Sequence, residues 1–232
     1  MRALGRLTPP DFEHVEKYPL TAEDLAAIVE PRAGALGINW YTSFDNPVKG
    51  SDGRYRIKIS GTVRGGHCIC AEPVPTPEQD TYAYHVFYNQ GETPACTGFG
   101  TSRVITLTKR VTLNAFWLYD DARRIDGDYP SGEGSYVRSA FAAAKKWGAH
   151  REGGEVCKPE PWHMGDPGVQ ISSYKWITSA EQLRELLGYS PSVVELPLLN
   201  SWGTDYPETV YIDLDDVDTL LKQEGEAGTV IF

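Results

Sequence analysis

The spacing of apolar residues divides the chain into three parts. In the first part they alternate with polar residues between Gly, Pro and Asp turns, which is typical of strands. Strands are predicted there over 34–41, 54–59, 66–71 and 82–88. In the middle part they recur at helical spacing, which predicts helices over 97–111, 114–125 and 135–147. The last part predicts strands again, over 192–199 and 209–214.

Capping signals and loop composition complete this prediction. Thr21, followed by acidic residues, is a typical helix N-cap and predicts a short helix before the first strand. The Gly- and Pro-rich segment 148–168 predicts a loop. After it, Thr178-Ser179 caps a helix that ends at Gly188, and a further short helix is predicted over 215–223.

This order of elements predicts an α+β fold in which a helical lobe is inserted into a discontinuous β lobe. Residues 1–89 would hold an N-terminal extension and the first part of the β lobe. Residues 90–190 would form the helical lobe, and 191–232 the rest of the β lobe. Because active sites tend to lie in clefts between lobes, we expect the active-site residues near the two junctions of the helical lobe with the β lobe.

Composition and charge exclude several classes of partner. The net charge is −10 and no Lys/Arg run exceeds two residues, so the chain offers no basic footprint for nucleic acid. It has no apolar run of about 18 residues and no signal-peptide core at its start, so we expect no membrane partner. Four cysteines are too few for a disulfide scaffold, which favours reduced thiols and a cytoplasmic location.

The Cys68-x-Cys70 pair beside His67 suggests a metal site at first sight. However, no second ligand pair follows at zinc-like spacing. We therefore predict no metal ion and no cofactor.

Two short motifs carry the candidate chemistry. Gln90-Gly91 precedes Cys96 by six and five positions, and Asn200-Ser201-Trp202-Gly203 lies late in the chain. A Gln side-chain amide can face the reaction site of a cysteine, and an Asn can orient a catalytic imidazole. Cys96 also falls where a helix is predicted to begin, and a helix N-terminus stabilises a thiolate. A lone Cys is otherwise a small buried apolar residue, and Asn200 an ordinary turn residue.

These motifs resemble the two signature motifs of the papain-like cysteine peptidases. The segment from Gly132 to Ala140 is similar to the glycine turn and helix that line the substrate cleft of that family, and the resemblance spans roughly 34–227. It implies an α lobe and an antiparallel, β-barrel-like lobe with the active site between them. Pro94-Ala95 before Cys96 and Thr97 after it resemble bacterial and phage variants of the family more than lysosomal ones.

The family's histidine is missing from its usual place between Cys and Asn. The intervening His150 and His163 lie in Gly- and Pro-rich sequence, unlike the strand that carries that histidine. A matching Gly-Gly-His segment instead enters a strand upstream, at His67. The order His67, Cys96, Asn200 is not a circular permutation of Cys, His, Asn, so a transposed segment and a rearranged connectivity are implied. A triad depends on spatial roles rather than on sequence order, so this order is compatible with catalysis.

The resemblance assigns a role to each of these residues. Cys96 would be the nucleophile, His67 the general acid and base and Asn200 its orienting partner, with Gln90 in the oxyanion hole. Gly66, Gly132, Gly134 and Trp202 would contribute to substrate binding. Trp202 would also cover the Asn–His hydrogen bond. Two simpler interpretations stay open, namely His67 as a structural histidine at a strand end and Trp202 as an ordinary core residue.

The function expected from this resemblance is endopeptidase activity on a polypeptide substrate through an acyl-enzyme. One alternative is a papain-like acyl transferase or amidase that acts on a non-protein amide. Another is a non-catalytic phage protein that keeps the fold and associates with a virion or larger assembly. Only about 33 residues precede the first matched strand, fewer than the long inhibitory leader usual in secreted members, and this favours the second alternative.

Overall fold

The structure is a computed structural model that describes residues 18–75, 88–152 and 168–232. Its fold is α+β, with six helices and an open, mixed sheet of eight strands in these ranges. The helices are α1 (Ala22–Ala27), α2 (Cys96–Lys109), α3 (Ala115–Asp126), α4 (Val137–Lys146), α5 (Ala180–Leu186) and α6 (Leu214–Lys222). The strands are β1 (Gly34–Tyr41), β2 (Val48–Lys49), β3 (Tyr55–Arg56), β4 (Val63–Ala71), β5 (Ser173–Ile177), β6 (Glu195–Leu199), β7 (Thr209–Asp213) and β8 (Glu226–Ile231).

The sheet joins strands from both ends of the chain. Its order is β2-β3-β7-β6-β4-β1-β8-β5, and neighbouring strands are antiparallel except for the parallel pair β3 and β7. Helices α2, α3 and α4 lie in sequence between β4 and β5, so they interrupt the strands of one sheet. The predicted closure into an antiparallel barrel is not confirmed, because the sheet in the described ranges is open and mixed.

The alternation of β1 separates the two faces of this sheet. Leu36, Ile38 and Trp40 point into a hydrophobic cluster that also contains residues of α5 and α6, such as Leu183 and Val217. The opposite face of β1 and β4 carries small residues. Ala35, Cys68 and Cys70 there contact a second cluster that includes Ile105 of α2 and Phe141 of α4. The small side chains let the helices pack close to the sheet.

Helix α2 is the central helix of the molecule. Its first 12 residues, Cys96 to Leu107, are all buried, as expected of a helix packed on every side. Two glycines allow this packing. A Cβ on Gly98 would lie 2.3 Å from the carbonyl oxygen of Ala115 at the start of α3, and a Cβ on Gly100 would lie 2.5 Å from Cys68 Sγ on β4. Cys96 therefore begins a helix that is wedged between α3 and the sheet.

Most predicted elements are found, with boundary changes that have local causes. The predicted caps form: Thr21 and Asp24 make a capping box, and Ser179 Oγ accepts a hydrogen bond from Gln182 N. The strand predicted over 54–59 is wrong beyond Arg56, because the chain then leaves the ladder and Ile59 N donates to the Asp216 side chain. Strands β2, β5 and β8 were not predicted from the sequence. Residues 82–87 of one predicted strand and 153–167 of the predicted loop lie outside the described residues.

The lobe boundaries at residues 90 and 190 stay predictions. β5 and α5 precede residue 190, yet β5 pairs with β8 in the sheet, and α5 contributes to the hydrophobic cluster on the β1 side. None of the helices in the described ranges combines the length and the apolar run that a membrane crossing requires.

Candidate active site

His67 lies in an aromatic enclosure on the sheet. It is on β4, only 1% exposed, and its backbone is in register with Ile38 of β1. The Trp202 ring stacks on the imidazole with centroids 4.5 Å apart and an interplanar angle of 27°. The Trp40 ring contacts it edge-on at 4.7 Å. The two indoles fix the orientation of the imidazole and exclude water from it.

Asn200, the residue after β6, holds one nitrogen of this imidazole. His67 Nε2 lies 3.1 Å from Asn200 Oδ1. The same Oδ1 accepts a hydrogen bond of 2.7 Å from the backbone N–H of Ser201, and this bond fixes which end of the amide is oxygen. Nε2 must therefore be the donor toward Asn200. In the neutral ring the lone pair is then on Nδ1, the tautomer that a general base requires.

Arg103 of helix α2 also holds the segment around Asn200 in place. Arg103, in the second turn of α2, donates from Nη2 to the backbone oxygen of Asn200 over 3.4 Å. Its Nη1 lies 3.6 Å from a carboxylate oxygen of Glu208, whose backbone oxygen accepts from Asn200 N at 2.9 Å. One buried arginine thus ties the helix that begins at Cys96 to the residue that orients His67.

The two sequence motifs bind each other directly. Gln90 N donates to the Ser201 backbone oxygen at 2.8 Å, and Gln90 Oε1 accepts from Ser201 Oγ at 2.6 Å. The Gln90 amide nitrogen donates to the Thr93 backbone oxygen at 2.8 Å. Gly203 has a φ of +64°, and a Cβ there would lie 2.6 Å from Asn89 Nδ2, which explains why a glycine ends the second motif.

Cys96 is the first residue of α2 and is 1% exposed. The backbone N–H groups of a first helical turn have no partner within the helix and carry partial positive charge, which favours a thiolate or an oxyanion beside them. Cys96 and His67 line the same small pocket. The structure therefore brings Cys96 and His67 to one pocket, where Asn200 contacts His67 and Gln90 contacts Ser201, the residue after Asn200.

The two other described cysteines, Cys68 and Cys70, are buried on β4. Burial raises the pKa of the Cys68 thiol well above its usual value, with a further contribution from nearby Cys96. Burial also raises the pKa of Cys70 to about 12. Both therefore stay protonated and unreactive near neutral pH. Within the described ranges no three His, Cys, Asp or Glu side chains group as a metal site would require.

Helix α3 supports the loop that leads into α4. Tyr119 Oη accepts a hydrogen bond of 3.0 Å from Gly134 N in a buried position. Arg123 Nη2 donates to the backbone oxygens of Pro130 and Gly132. Gly132 and Gly134 are both predicted to bind substrate. The Gly132 backbone oxygen and the Gly134 N–H are thus already hydrogen-bonded within the protein.

Two more side chains of α3 complete this support. The Arg124 guanidinium lies 3.9 Å from the centroid of the Tyr129 ring, and Asp126 accepts from Ser135 Oγ at 2.6 Å. We call residues 127–137 the loop wall, because Ser135 and Val137 line the pocket that also contains Cys96 and His67.

The pocket also contains residues that neither sequence motif indicates. It is lined by Gly37, His67, Cys68, Cys96, Thr97, Ser135, Val137 and Glu226. Of the four residues predicted to bind substrate, Trp202 stacks on His67, Gly66 precedes it on β4, and Gly132 and Gly134 precede Ser135. One signal could have found Glu226: it is the only charged residue in the small and apolar strand Glu226–Ile231.

Comparisons with known proteins place this chain in no family. No protein-family description matches it, and no curated protein matches it either. Among solved structures, a matching chain comes from a study of the limited antibody cross-reactivity between the mite allergens Blo t 1 and Der p 1. It is 16% identical, the match covers 69% of this chain and 76% of that one, and the TM-score is 0.46. A likeness this slight carries no argument about fold or activity.

Proposed function

We propose that the protein is a cysteine peptidase that hydrolyses peptide bonds through an acyl-enzyme, with Cys96 as nucleophile. The observation that carries the proposal is the buried hydrogen bond between His67 Nε2 and Asn200 Oδ1, with its amide orientation fixed by Ser201 N–H. A structural histidine needs no tautomer control, no indole on its face and no cysteine at the helix end beside it. The resemblance of the two motifs to papain-like peptidases supports the same activity.

In the proposed first half of the reaction, His67 Nδ1 takes the proton of the Cys96 thiol. The sulfur adds to the carbonyl carbon of the scissile peptide bond and forms a tetrahedral oxyanion. The carbon–nitrogen bond then breaks, and His67 gives its proton to the leaving amine. Asn200 keeps the imidazole in one orientation throughout, because the Nε2–H bond to Oδ1 is present in both protonation states of the ring.

In the second half, water replaces the amine. His67 Nδ1 takes a proton from the water, the hydroxyl oxygen adds to the thioester carbon, and the carbon–sulfur bond breaks. The acid product leaves, and the proton returns to the Cys96 sulfur. Trp202 keeps bulk water from the His67–Asn200 bond during both halves.

The proposed oxyanion hole combines the Cys96 backbone N–H with the Gln90 side-chain amide. One hydrogen of this amide binds the Thr93 backbone oxygen, which leaves the second for the oxyanion. Ser201 Oγ holds the other end of the amide, so the donor is oriented before substrate arrives. A donor of this kind is worth about 3 kcal/mol in the transition state.

The loop wall would bind an extended substrate as an added strand. Gly134 N and the Gly132 oxygen are already bound to Tyr119 and Arg123. The substrate would therefore pair with the other backbone groups of 132–135, while Tyr119 and Arg123 keep this segment in shape.

The test is cleavage of an unfolded protein and of a mixed peptide library by the wild type, Cys96→Ser and Cys70→Ser. We expect the wild type and Cys70→Ser to release new N-terminal amines at equal rates, and Cys96→Ser to lose at least about 10³-fold. Ligated products instead of free amines would identify an acyl transferase. Equal activity of Cys96→Ser and wild type would overturn the proposal. It would also be overturned if none of the three proteins cleaved a substrate and a thiol-directed inactivator did not modify Cys96.

A further inference from the structure

The pocket that contains Cys96 also contains a second thiol. Cys68, the residue after His67 on β4, lines the same cavity as Cys96. The two side chains belong to one cluster of buried residues, with Cys68 2% and Cys96 1% exposed. The proposed peptidase reaction uses Cys96 as nucleophile and assigns no task to Cys68.

The packing of Gly100 places the Cys68 sulfur against helix α2. Gly100 is one turn after Cys96, so the two positions lie on the same helix face, with Cβ positions about 5–6 Å apart. A Cβ on Gly100 would lie 2.5 Å from Cys68 Sγ. Because the Cα–Cβ bonds of a helix tilt toward its N-terminus, this sulfur lies on the Cys96 side of Gly100. Cys68 Sγ is therefore within about one helical turn of Cys96.

The electrostatic environment distinguishes Cys68 from the third described cysteine. Burial raises the pKa of Cys68, and the proximity of Cys96 raises it further. Burial also raises the pKa of Cys70, which Arg103 and Glu72 then shift in opposite directions. Cys68 is thus the thiol beside the nucleophile, and Cys70 is a buried thiol of the same strand that serves for comparison.

Oxidation chemistry gives the second thiol a role. Peroxides oxidise thiolates faster than thiols, and Cys96 has the helix N-terminus and the imidazole that favour a thiolate. A sulfenic acid condenses with a neighbouring thiol to a disulfide, which a dithiol reverses. Without such a thiol it is oxidised further to a sulfinic acid, which a dithiol does not reverse.

We propose that Cys68 is a resolving cysteine, which forms a reversible disulfide with Cys96 when the protein meets hydrogen peroxide or another small hydroperoxide. The inference rests on the proposed function in one respect, the thiolate character of Cys96. It adds a modification site that inactivates the nucleophile and protects it from irreversible oxidation.

The first step oxidises Cys96. Its thiolate attacks one oxygen of the hydroperoxide, the oxygen–oxygen bond breaks, and Cys96 becomes a sulfenic acid. The departing hydroxide or alkoxide takes the proton that His67 holds and leaves as water or an alcohol. The protonated Cys68 thiol is unreactive toward the dissolved peroxide and does not compete for it.

The second step joins the two sulfurs. The Cys68 sulfur adds to the Cys96 sulfur, the sulfur–oxygen bond breaks, and the hydroxyl leaves as water with the Cys68 thiol proton. Proximity within one pocket offsets the small thiolate fraction of Cys68 in this step. In sum, two thiols lose two hydrogen atoms, and one hydroperoxide is reduced.

The test is peptide mapping of the reduced wild-type protein before and after brief treatment with hydrogen peroxide. Free thiols are then blocked with iodoacetamide in denaturant, and the protein is digested without reductant. We expect one dominant pair of linked peptides, which joins Cys68 to Cys96 and which dithiothreitol separates. Peptidase activity should be lost as the pair forms and should return with dithiothreitol.

Two variants test the role of the second thiol. Cys68→Ala removes it, and Cys70→Ser changes the other described cysteine of the same strand and cluster. In Cys68→Ala, the fraction of Cys96 recovered as free thiol after dithiothreitol should be at least about 10-fold lower than in wild type, because Cys96 proceeds to sulfinic acid. Cys70→Ser should match the wild type. Recovery is measured against the untreated sample of the same protein, so the activity of a variant does not affect it.

The outcomes separate this inference from the proposed function. Linkage of Cys96 to Cys70 or Cys157, or equal recovery in wild type and Cys68→Ala, would overturn the inference. Peptide cleavage by the reduced protein without a linked pair after peroxide rejects the inference and leaves the peptidase function standing. A Cys68–Cys96 pair in a protein that cleaves no peptide when reduced supports the inference and rejects the peptidase function.

Discussion

The two sides of the pocket are held in place by different physical means. On the sheet side, His67 lies between Trp40 and Trp202 in a buried aromatic cluster, and one hydrogen bond to Asn200 sets its orientation. On the helix side, charged and hydroxyl side chains of α3 hold the loop wall, chiefly Tyr119 and Arg123. Close packing permits few alternative arrangements, whereas arrangements held by hydrogen bonds and charges respond to pH and to substitution of single polar groups.

This contrast assigns a different task to each side. Changes on the sheet side should alter the chemical step, because they move the imidazole or the oxyanion donor. Changes on the helix side should alter substrate binding and stability and leave the chemical step intact. Predictions that separate kcat from KM therefore test the comparison directly.

The largest expected effect comes from Gln90→Ala on the sheet side. It removes the proposed oxyanion donor, so kcat should fall by about 10²–10³ with little change in KM. Ser201→Ala is the matched control, because it removes only the bond from Ser201 Oγ to Gln90 Oε1 and leaves the amide in place. Its loss should be about 10-fold or less. Steady-state kinetics on one peptide measure both, and equal losses would assign Gln90 a purely structural role.

The next largest effect is expected in the pH dependence of the unfolding free energy, through Asp121 on the helix side. Asp121 of α3 is 0% exposed, and burial raises its pKa to about 7 against the opposing influence of Arg124. Between about pH 4 and 7 the folded protein keeps a proton that the unfolded chain has released, so stability should fall as pH rises through this range. Each pKa unit corresponds to ~1.4 kcal/mol, which predicts a loss of ~2–4 kcal/mol.

Asp121→Asn should remove this pH dependence, because the amide does not titrate and still accepts from Arg124. Urea unfolding at pH 4.5 to 8 is the measurement. Asp120→Asn serves as control, since the Asp120 side chain is 40% exposed and should leave most of the slope in place. A wild-type stability that rises with pH over this range contradicts the assignment.

The smallest effect is expected from Tyr119→Phe. Removing the hydroxyl leaves the buried Gly134 N–H without its acceptor, at a cost of about 1–2 kcal/mol in unfolding free energy. KM should rise several-fold as the loop wall loosens, while kcat stays close to wild type. Tyr129→Phe, at a 40% exposed position of the same loop, should change neither. A fall in kcat as large as that of Gln90→Ala would erase the distinction between the two sides.

The structural features that could be predicted from the sequence are those that depend on short segments. The alternation of β1 and β4, the helical spacing of α2 to α4, and the caps at Thr21 and Ser179 are all local patterns. The two motifs could be recognised for the same reason, because each is a short run of sequence: Gln90 and Cys96 lie six positions apart, and Asn200 to Gly203 are consecutive. His67 required the resemblance, because nothing local joins it to Asn200, 133 residues away.

What could not be predicted depends on contacts between distant segments. β8 contains small residues with a buried glutamate, a weak strand pattern that pairing with β1 and β5 stabilises. Glu226 and Arg138 lie 88 residues apart, and neither has a motif. Position 37 requires a glycine only because α4 brings Val137 close to it, so that a Cβ there would lie 2.7 Å from Val137 Cγ2. The open sheet likewise follows from strand pairings that no periodicity reveals.

The most direct test of the central claim is the pH dependence of Cys96 alkylation by a neutral reagent such as iodoacetamide, followed by peptide mapping, in wild type and His67→Ala. The wild type should react at Cys96 at a rate that stays high from about pH 8 down to about pH 5, as cysteines paired with an imidazole do. In His67→Ala the rate should fall about tenfold per pH unit below about pH 8. Superimposable profiles for the two proteins would contradict a catalytic pair of Cys96 and His67.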